Sequence, residues 1–415
     1  MKYNTVIVGG GLSGLVCGIA LAKNGQRVAI VSSGQSTLHF NGGSMELLGM
    51  ADGKTVDDPI NAIVSLPETH PYYKIGADNI TALANEAQRL LADAGLKMNG
   101  SAKRNHFRIS PMGVLIPAWL TLEGYATVPS RDNLPWKRVI LANVEGYLDF
   151  PVDFVASGLR KEGLEVEVVD ITTAELEERR HTPSEMRATQ LAKLLSTRAG
   201  FEHLAAAINT ATANAQADAV LMPAVLGLTD DPMTHLCELV NLPLHLVATL
   251  PPSVAGTRMQ TQLRHYFQML GGTYLLGDTV VSATIVQDKV EAVVTEKLKD
   301  LPLRADNFVL AAGSFMSKGL ASNYKRVYEP IMDLDVDADK SHTEWTQYDV
   351  MSAQPYMTYG VSTDSQFHAK KQGKPITNLY AVGAILSGHD AVKNHDGTGV
   401  SALTGLAVAH SILGK

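Results

Sequence analysis

Residues 5–31 read TVIVGGGLSGLVCGIALAKNGQRVAIV, and this stretch decides the fold of the chain. It contains an apolar run at 6–8, a glycine-rich turn at 9–14, a helical pattern at 15–24 and a second apolar run at 27–31. A strand, a glycine turn, a helix and a strand within about 30 residues make up one βαβ unit. The stretch therefore predicts the first unit of a parallel α/β sheet.

The glycines of this turn have separate physical roles. Gly9 lets the chain turn sharply, Gly11 leaves room for a phosphate to approach the backbone, and Gly14 lets the helix lie close to the strand. Free N–H groups and the dipole at the helix start favour an anion. The turn predicts a nucleotide-type cofactor, unless it serves only to pack helix on strand. We expect the cofactor contacts at Gly9, Gly10, Gly11, Ser13 and Gly14.

One residue that dinucleotide sites use is missing. An acidic residue at the end of the second strand normally holds the ribose hydroxyls of adenosine. Here Ser32 and Ser33 occupy that place, and a serine cannot form a charge-assisted hydrogen bond as an acceptor. The cofactor is therefore expected to lack adenosine, as FMN does, or to be FAD held by other contacts at this end.

Three further stretches are expected to reach the same cofactor. A polar, glycine-rich loop at 34–44 follows the first βαβ unit, apolar strand 308–312 ends in a small-residue turn, and apolar strand 378–382 precedes a glycine turn that opens a helix. The predicted contacts in these stretches are Ser36, Gly43, Ser44, Gly313, Gly383, Gly397, Thr398 and Gly399. A surface loop and an ordinary buried strand are the alternatives for the first two stretches.

Composition narrows the class of protein. The 415 residues suffice for two or three domains. A net charge of −7 is not the basic charge that proteins binding nucleic acid or an anionic membrane usually carry. Two cysteines cannot hold a Cys₄ iron–sulfur cluster, and no apolar run reaches the ~18 residues of a membrane span. Any membrane association is therefore expected to be peripheral or through a partner.

Alternating strand and helix patterns between residues 100 and 250 indicate a second α/β domain inserted into the first. We predict an α/β protein with an FAD/NAD(P)-binding Rossmann-like flavoprotein fold. Its cofactor domain comprises residues 1–99 and 251–415, and the inserted domain, residues 100–250, shapes a substrate pocket. No metal site is predicted, because the acidic run at 333–339 lacks the glycine and the terminal glutamate of a calcium loop.

Several motifs together resemble one bacterial family. The N-terminal motif NTVIVGGGLSGL spans residues 4–15, and the other matching stretches are 29–31, 34–36, 38–40, 221–224, 249–254, 302–304, 313–315 and 329–331. With these residues the chain resembles the B subunit of the anaerobic glycerol-3-phosphate dehydrogenase over nearly all of its length.

This resemblance implies a function and partners. It implies an FMN-containing subunit of a complex that oxidises sn-glycerol 3-phosphate to dihydroxyacetone phosphate and passes electrons to quinone, and onward to fumarate or nitrate. The implied partners are a catalytic subunit that contains FAD and an iron–sulfur subunit that anchors the complex at the cytoplasmic face of the inner membrane. We expect the FAD-containing partner to perform the hydride step and this chain to relay electrons or to support the complex.

Alcohol oxidation needs a base for the hydroxyl proton and cations for the substrate phosphate. The candidates in this chain are His39, His389, His395, Arg258 and Lys393, each of which could equally be structural.

Two other functions stay open from the sequence. The chain could be a degenerate flavoprotein fold with a structural role in the same complex, or a free-standing NAD(P)-linked oxidoreductase. The glycine turns between 383 and 401 argue against the second, because a unit that binds only NAD does not need them.

Overall fold

A computed structural model describes residues 2–182, 184, 186–228 and 233–415 of the chain. Within these residues the strands are, in chain order, β1 (Lys2–Val8), β2 (Val28–Ser32), β3 (Ser44–Met45), β4 (Met50–Ala51), β5 (Lys54–Thr55), β6 (Met98–Gly100), β7 (His106–Ile109), β8 (Leu115–Ala118), β9 (Leu120–Leu122), β10 (Thr127–Val128), β11 (Arg138–Val144), β12 (Glu165–Ile171), β13 (Ala219–Pro223), β14 (Leu244–Val247), β15 (Thr273–Leu276), β16 (Val280–Val286), β17 (Lys289–Thr295), β18 (Leu303–Leu310), β19 (Ala321–Ser322), β20 (Val327–Tyr328), β21 (Val336–Asp337), β22 (Gly360–Val361), β23 (His368–Lys371) and β24 (Lys374–Ala381).

The α-helices of the same residues are α1 (Leu12–Lys23), α2 (Pro59–Ile63), α3 (Pro71–Ile75), α4 (Ala77–Asp93), α5 (Val152–Lys161), α6 (Ala174–Arg180), α7 (Ala188–Leu195), α8 (Arg198–Thr212), α9 (Met233–Leu239), α10 (Val254–Met269), α11 (Ala391–Asn394) and α12 (Gly397–Leu413). None of the helices in this described part combines the length and the hydropathy that a membrane crossing requires.

The main sheet has a parallel centre, with strands in the order β15-β2-β1-β18-β24. Val6 of β1 lies opposite Ala29 of β2 and Phe308 of β18, and Phe308 lies opposite Leu379 of β24. The hairpin β16-β17 extends the sheet along the first half of β18, and β23 pairs with β24. All residues of β2 are buried, as expected for a parallel strand covered on both faces.

Three helices form the layer that positions the glycine turns. Helix α1 packs against both α10 and α12. Buried residues occur on every side of α12, and a helix that is apolar all round belongs in the interior. Helix α4 packs on α12, and its buried residues Ile80, Leu83, Ala87 and Leu90 recur at helical spacing.

A second apolar core lies between residues 107 and 254. It surrounds a parallel sheet in the order β12-β11-β13-β14, beside an antiparallel sheet in the order β10-β7-β8. Helices α5 to α9 belong to the same stretch of chain. A small sheet, β3-β9-β6, pairs residues 44–45 with residues 120–122 and therefore joins this part of the chain to the loop after β2.

These observations confirm the predicted α/β class with a parallel sheet. Two helices begin earlier than the sequence pattern suggested: α1 begins at Leu12, because Gly11 is its N-cap, and α12 begins at Gly397, because Asp396 is its N-cap. The domain boundaries at 100 and 250 stay a prediction. The two cores alternate along the chain near the first boundary, where Trp119 and Leu120 belong to the main core and Phe107 to the second.

A glycine outside every motif fixes the position of α10. A Cβ atom on Gly256 would lie 2.1 Å from the carbonyl oxygen of Leu38, so Gly256→Ala forces α10 away from the loop after β2. We expect this change to lower the free energy of unfolding by about 1–3 kcal/mol, measured by urea denaturation. The control is Gly34→Ala, whose Cβ would meet nothing within 4 Å; equal stability of the two variants would contradict this packing.

Candidate functional site

The structure brings three of the predicted glycine turns to one edge of the main sheet. Gly9, Gly313 and Gly383 follow the adjacent parallel strands β1, β18 and β24. A Cβ atom on Gly9, whose φ is +115°, would lie 2.1 Å from the carbonyl oxygen of Ala311, and one on Gly383 would lie 2.5 Å from Ser13 Oγ. Such close contacts tolerate only glycine. The carboxyl edge of parallel strands is where open α/β sheets bind ligands.

The start of α1 is free to bind an anion. No side chain among the described residues caps this helix, and its first N–H groups lie next to Gly11. A Cβ atom on Gly11 would find only the Cβ of Ser36, at 3.7 Å. The space that this glycine leaves is therefore accessible, and the arrangement fits a phosphate group at the helix N-terminus.

The neighbouring corner, at the end of β2, is filled by side chains of the chain itself. Ser32 is buried and donates to the carbonyl of Gly34 at 3.0 Å, while Ser33 is exposed. The hydroxyl of Tyr274 donates to the carbonyl of Gly10 at 3.3 Å. A Cβ atom on Gly10 would lie 2.1 Å from that hydroxyl. Tyr274 thus lies where a ribose would approach Ser32.

A second side chain closes the same corner. Gln260 of α10 donates to the carbonyl of Gly10 at 2.9 Å and accepts a hydrogen bond from the hydroxyl of Ser36. Burial raises the pKa of Tyr274, and the guanidinium of Arg264 lies 5.9 Å from the centre of its ring. We call Ser32, Ser36, Gln260 and Tyr274 the ribose corner. Its polar groups bond to one another and to the nearby backbone, and it contains no acid for ribose hydroxyls.

The start of α12 makes close contacts with the loop after β2. The N–H of Gly399 donates to the carbonyl of Glu46 at 2.8 Å, and the hydroxyl of Thr398 accepts from the N–H of Glu46 at 2.7 Å. The predicted loop residue Ser44 lies 3.4 Å from the Glu46 carboxylate. The predicted contacts from the two distant parts of the sequence are therefore neighbours, but Thr398 and Gly399 already bond within the protein.

A buried carboxylate holds two histidines beside this helix start. Asp396 Oδ2 accepts from His70 Nε2 at 3.0 Å, and Oδ1 lies 3.1 Å from His389 Nδ1. Since Nδ1 of His70 accepts the N–H of Tyr72 at 3.1 Å, the ring proton of His70 is on Nε2. Burial raises the pKa of the Asp396 carboxyl, but hydrogen bonds from His389 and His70 outweigh burial and lower that pKa from 3.8 to about 2.

Comparison with known proteins agrees with this geometry. Residues 4–400 match the family described as FAD binding domain. The B subunit of the anaerobic glycerol-3-phosphate dehydrogenase of Yersinia enterocolitica is 39% identical over 419 residues, which cover 100% of this chain and 98% of that protein. The protein of the same name from Haemophilus influenzae is 36% identical, with 100% of both chains covered.

The chain belongs to the B-subunit family of the anaerobic glycerol-3-phosphate dehydrogenase. Its fold is that of an FAD-binding flavoprotein, and its class is that of a flavin-binding oxidoreductase. Among solved structures, the 3-ketosteroid Δ1-dehydrogenase of Sterolibacterium denitrificans aligns with a TM-score of 0.45 and 10% identity, over 100% of this chain and 99% of that one.

In this member of the family, the five catalytic candidates lie in different places. His389 and His395 lie at the start of α12, and burial lowers the pKa of His395. His39 is buried beside α10, next to the carbonyl of Ser36, and burial lowers its pKa as well. Lys393 donates to the carbonyl of Met351 at 2.6 Å, in an exposed position. Arg258, on α10, has a buried Nε without a partner among the described residues.

Sequence reasoning missed Glu46, His70, Asp396, Gln260 and Tyr274. Each is a common polar residue, and the fold places Glu46, His70 and Asp396 at the start of α12 and the other two at the ribose corner. The sequence signal that could have found Asp396 is its position directly before the Gly397 turn, where an N-cap acid is favoured. Within the part of the chain that the structure covers, no three His, Cys, Asp or Glu side chains are placed to hold a metal ion.

Replacing Gly11 separates cofactor binding from folding. Its φ of −81° suits any residue and its Cβ direction is open, so we expect Gly11→Val to lower the free energy of unfolding by only about 1 kcal/mol, because glycine is preferred to valine at an N-cap. The added methyl groups occupy the approach to the helix start, so flavin content, measured from the absorbance of the purified protein, should fall at least severalfold. Full flavin content in a stable variant would show that no phosphate lies here.

The buried carboxylate gives a pH-dependent contribution to stability. Because the pKa of Asp396 is lower in the folded chain than its ordinary 3.8, its contribution is present above pH 4 and is lost as the pH falls towards 2. A shift of this size corresponds to about 2.5 kcal/mol. Asp396→Asn should destabilise the protein by about 3 kcal/mol at pH 7, as two hydrogen bonds to a charge are weakened.

The measurement is the free energy of unfolding of wild type and variant between pH 7 and 3. The difference should narrow below about pH 4. The control is Glu86→Gln, which removes a half-buried carboxylate 3.0 Å from His410 and should cost less than about 1 kcal/mol. A difference that stays constant over this range would contradict the lowered pKa of Asp396.

Proposed function

We propose that this chain is the flavin subunit of an sn-glycerol-3-phosphate:quinone oxidoreductase. In this complex glycerol 3-phosphate becomes dihydroxyacetone phosphate, and the electrons pass to quinone and onward to fumarate or nitrate. The observation that carries the proposal is the open α1 start between three converging glycine turns. It is found in a chain whose relatives bear this dehydrogenase's name over their full length.

When bound, a flavin supplies the hydride and electron chemistry. The chain itself supplies the binding groups. The N–H groups next to Gly11 would hold the cofactor phosphate. Gly405 of α12 lies against Ser13 of α1, since a Cβ atom on Gly405 would come within 2.8 Å of the carbonyl oxygen of Ser13. The hydrogen bonds of Glu46 hold the loop after β2 against α12. Both contacts hold α1, α12 and the loop after β2 together without help from the cofactor.

We propose FMN as the cofactor, although the family is described by its FAD binding. The support is the ribose corner. Tyr274 and Gln260 both bond to the carbonyl of Gly10, and Ser32 stands where an acid would hold the ribose. The space beside Gly11, where a phosphate would lie, remains accessible. A cofactor with one phosphate and no adenosine fits both observations.

We further propose that the chain works with two partners, an FAD-containing catalytic subunit and an iron–sulfur membrane-anchor subunit, at the cytoplasmic face of the inner membrane. The support is the name of the relatives, which designates one lettered member of a set and so implies a complex. The two cysteines, one buried and one exposed, cannot form an iron–sulfur site in this chain. Electrons from its flavin would then have to pass to a group held by another chain.

The flavin released by denaturing the purified chain tests the proposal. The chain is co-expressed with its partners, separated from them, and the flavin is identified by mass and counted. We expect one FMN per chain. One FAD per chain would contradict the role given to the ribose corner. No flavin would favour a purely structural role, and reduction by NADH without any flavin would favour an NAD(P)-linked oxidoreductase.

The ribose corner also predicts a gain of function. Tyr274→Ala removes the ring that fills the corner, and Ser32→Glu restores the acid that dinucleotide sites use. We expect the double variant to retain FAD after incubation with equal amounts of FMN and FAD. The matched control, Tyr274→Phe with Ser32 unchanged, keeps the ring and should retain FMN. If both variants select the same flavin, the corner does not determine the choice.

A further inference from the structure

Several buried polar side chains that belong to none of the glycine turns have atoms without a hydrogen-bond partner among the described residues. Seven buried side-chain nitrogen and oxygen atoms have no hydrogen-bond partner within the described residues. Three of them belong to Tyr147, Thr249 and Arg258. Buried polar groups are nearly always hydrogen-bonded, so such atoms require an explanation.

Two of these residues lie at one edge of the inserted parallel sheet. Tyr147 follows the end of β11 and Thr249 follows the end of β14, and their exposed fractions are 4% and 2%. Burial raises the pKa of Tyr147 to about 12, against an opposing effect of the nearby Thr249 hydroxyl. The N–H of Leu250, next to Thr249, donates to the carbonyl of Asp149 at 2.8 Å, so the two segments that carry these hydroxyls are adjacent, and neither hydroxyl has a hydrogen-bond partner among the described residues.

Arg258 reaches the same place from the cofactor domain. It lies on α10, one turn after Ala255. Burial raises the pKa of Tyr125, the positive charge of Arg258 opposes this rise, and the nearby Tyr147 adds to it. Ala255, one turn before Arg258 on the same helix, lies beside the ring of Tyr125, because a Cβ atom on Gly43 would contact both of them. We call Tyr125, Tyr147, Thr249 and Arg258 the junction site, because both parts of the chain contribute to it.

The junction site borders the loop that packs on α12. A Cβ atom on Gly43 would lie 2.9 Å from the ring of Tyr125 and 3.3 Å from Ala255. One on the neighbouring Gly42 would lie 3.7 Å from a terminal nitrogen of Arg108. Arg108 in turn pairs with Glu46 at 3.5 Å, and Glu46 bonds to the start of α12. One loop thus connects the junction site with the proposed flavin site.

The chemistry of the junction site favours an oxyanion. Its three unpartnered groups are two hydroxyls and a guanidinium N–H, and all can donate hydrogen bonds. The carboxylate close to Tyr147, that of Asp149, is paired with Arg187 at 2.7 Å. A phosphate group offers several acceptor oxygens and the charge that a guanidinium binds best. A neutral alcohol would leave the positive charge of Arg258 unmatched.

We propose that the junction site binds the phosphate of a phosphomonoester substrate or product. The choice of glycerol 3-phosphate as that ester rests on the proposed function. This chain would then hold the substrate or product itself, whichever member of the complex takes the hydride.

The test measures binding of sn-glycerol 3-phosphate, inorganic phosphate and glycerol to the full flavin-loaded chain by titration calorimetry. Loading with flavin keeps the probes from the start of α1. We expect Arg258→Met to weaken binding of both phosphate probes by about 10-fold to 100-fold, and Thr249→Val by about 3-fold to 10-fold. Arg258→Lys keeps the charge and should recover part of the affinity.

The matched control is Arg198→Met, which removes an arginine that is 88% exposed and paired along its own helix; its affinity for the probes should equal that of wild type. Equal affinity in wild type and Arg258→Met would overturn the proposal, as would a wild-type chain that binds neither phosphate probe. In both cases water would satisfy the buried donors.

Flavin content is measured in the same samples. Its loss in wild type would count against the proposed function, whereas unchanged flavin with no phosphate binding would count against the junction site alone.

Discussion

The close approach of β1 to β18 is the constraint on which the rest of the site depends. The carbonyl of Ala311 comes so near to Gly9 that no side chain fits between them. This contact ends two parallel strands at the same level and leaves α1 starting directly above them. The free N–H groups of α1 therefore point to the carboxyl edge of the sheet, where the turns at Gly313 and Gly383 also lie.

Two different uses of a helix start follow from this arrangement. The start of α1 has no cap among the described side chains, so its electrostatic attraction for anions is available to a ligand. The start of α12 is bound to Glu46 by backbone and hydroxyl hydrogen bonds. Some of its hydrogen-bonding groups therefore stabilise the fold and are not available to a ligand. The chain thus has one helix start that is open to an anion and a second that fixes the loop between the two proposed sites.

The sequence was sufficient for the βαβ unit, because Gly9, Gly11 and Gly14 stand at fixed spacing between an apolar run and a helical pattern. The sequence also showed that a serine, Ser32, stands where dinucleotide sites have an acid for the ribose. It could not show that a tyrosine of β15 and a glutamine of α10 fill the space, since these residues lie on an ordinary strand and helix more than 200 residues away. Arg258 was among the candidates from the sequence, but Tyr147 and Thr249 were missed for the same reason: their function is proposed from burial without partners, and burial of single polar residues has no sequence pattern.

The pairing of Gly399 and Thr398 with Glu46 has a consequence for biosynthesis. The loop around Glu46 is synthesised early, and the hydroxyl that holds it in place follows 352 residues later, on a helix that runs to Leu413. During translation the N-terminal βαβ unit is complete long before this helix leaves the ribosome. The proposed flavin site therefore has all of its parts only after α12 has been made, and on this proposal flavin binds late in the synthesis of the chain or after it.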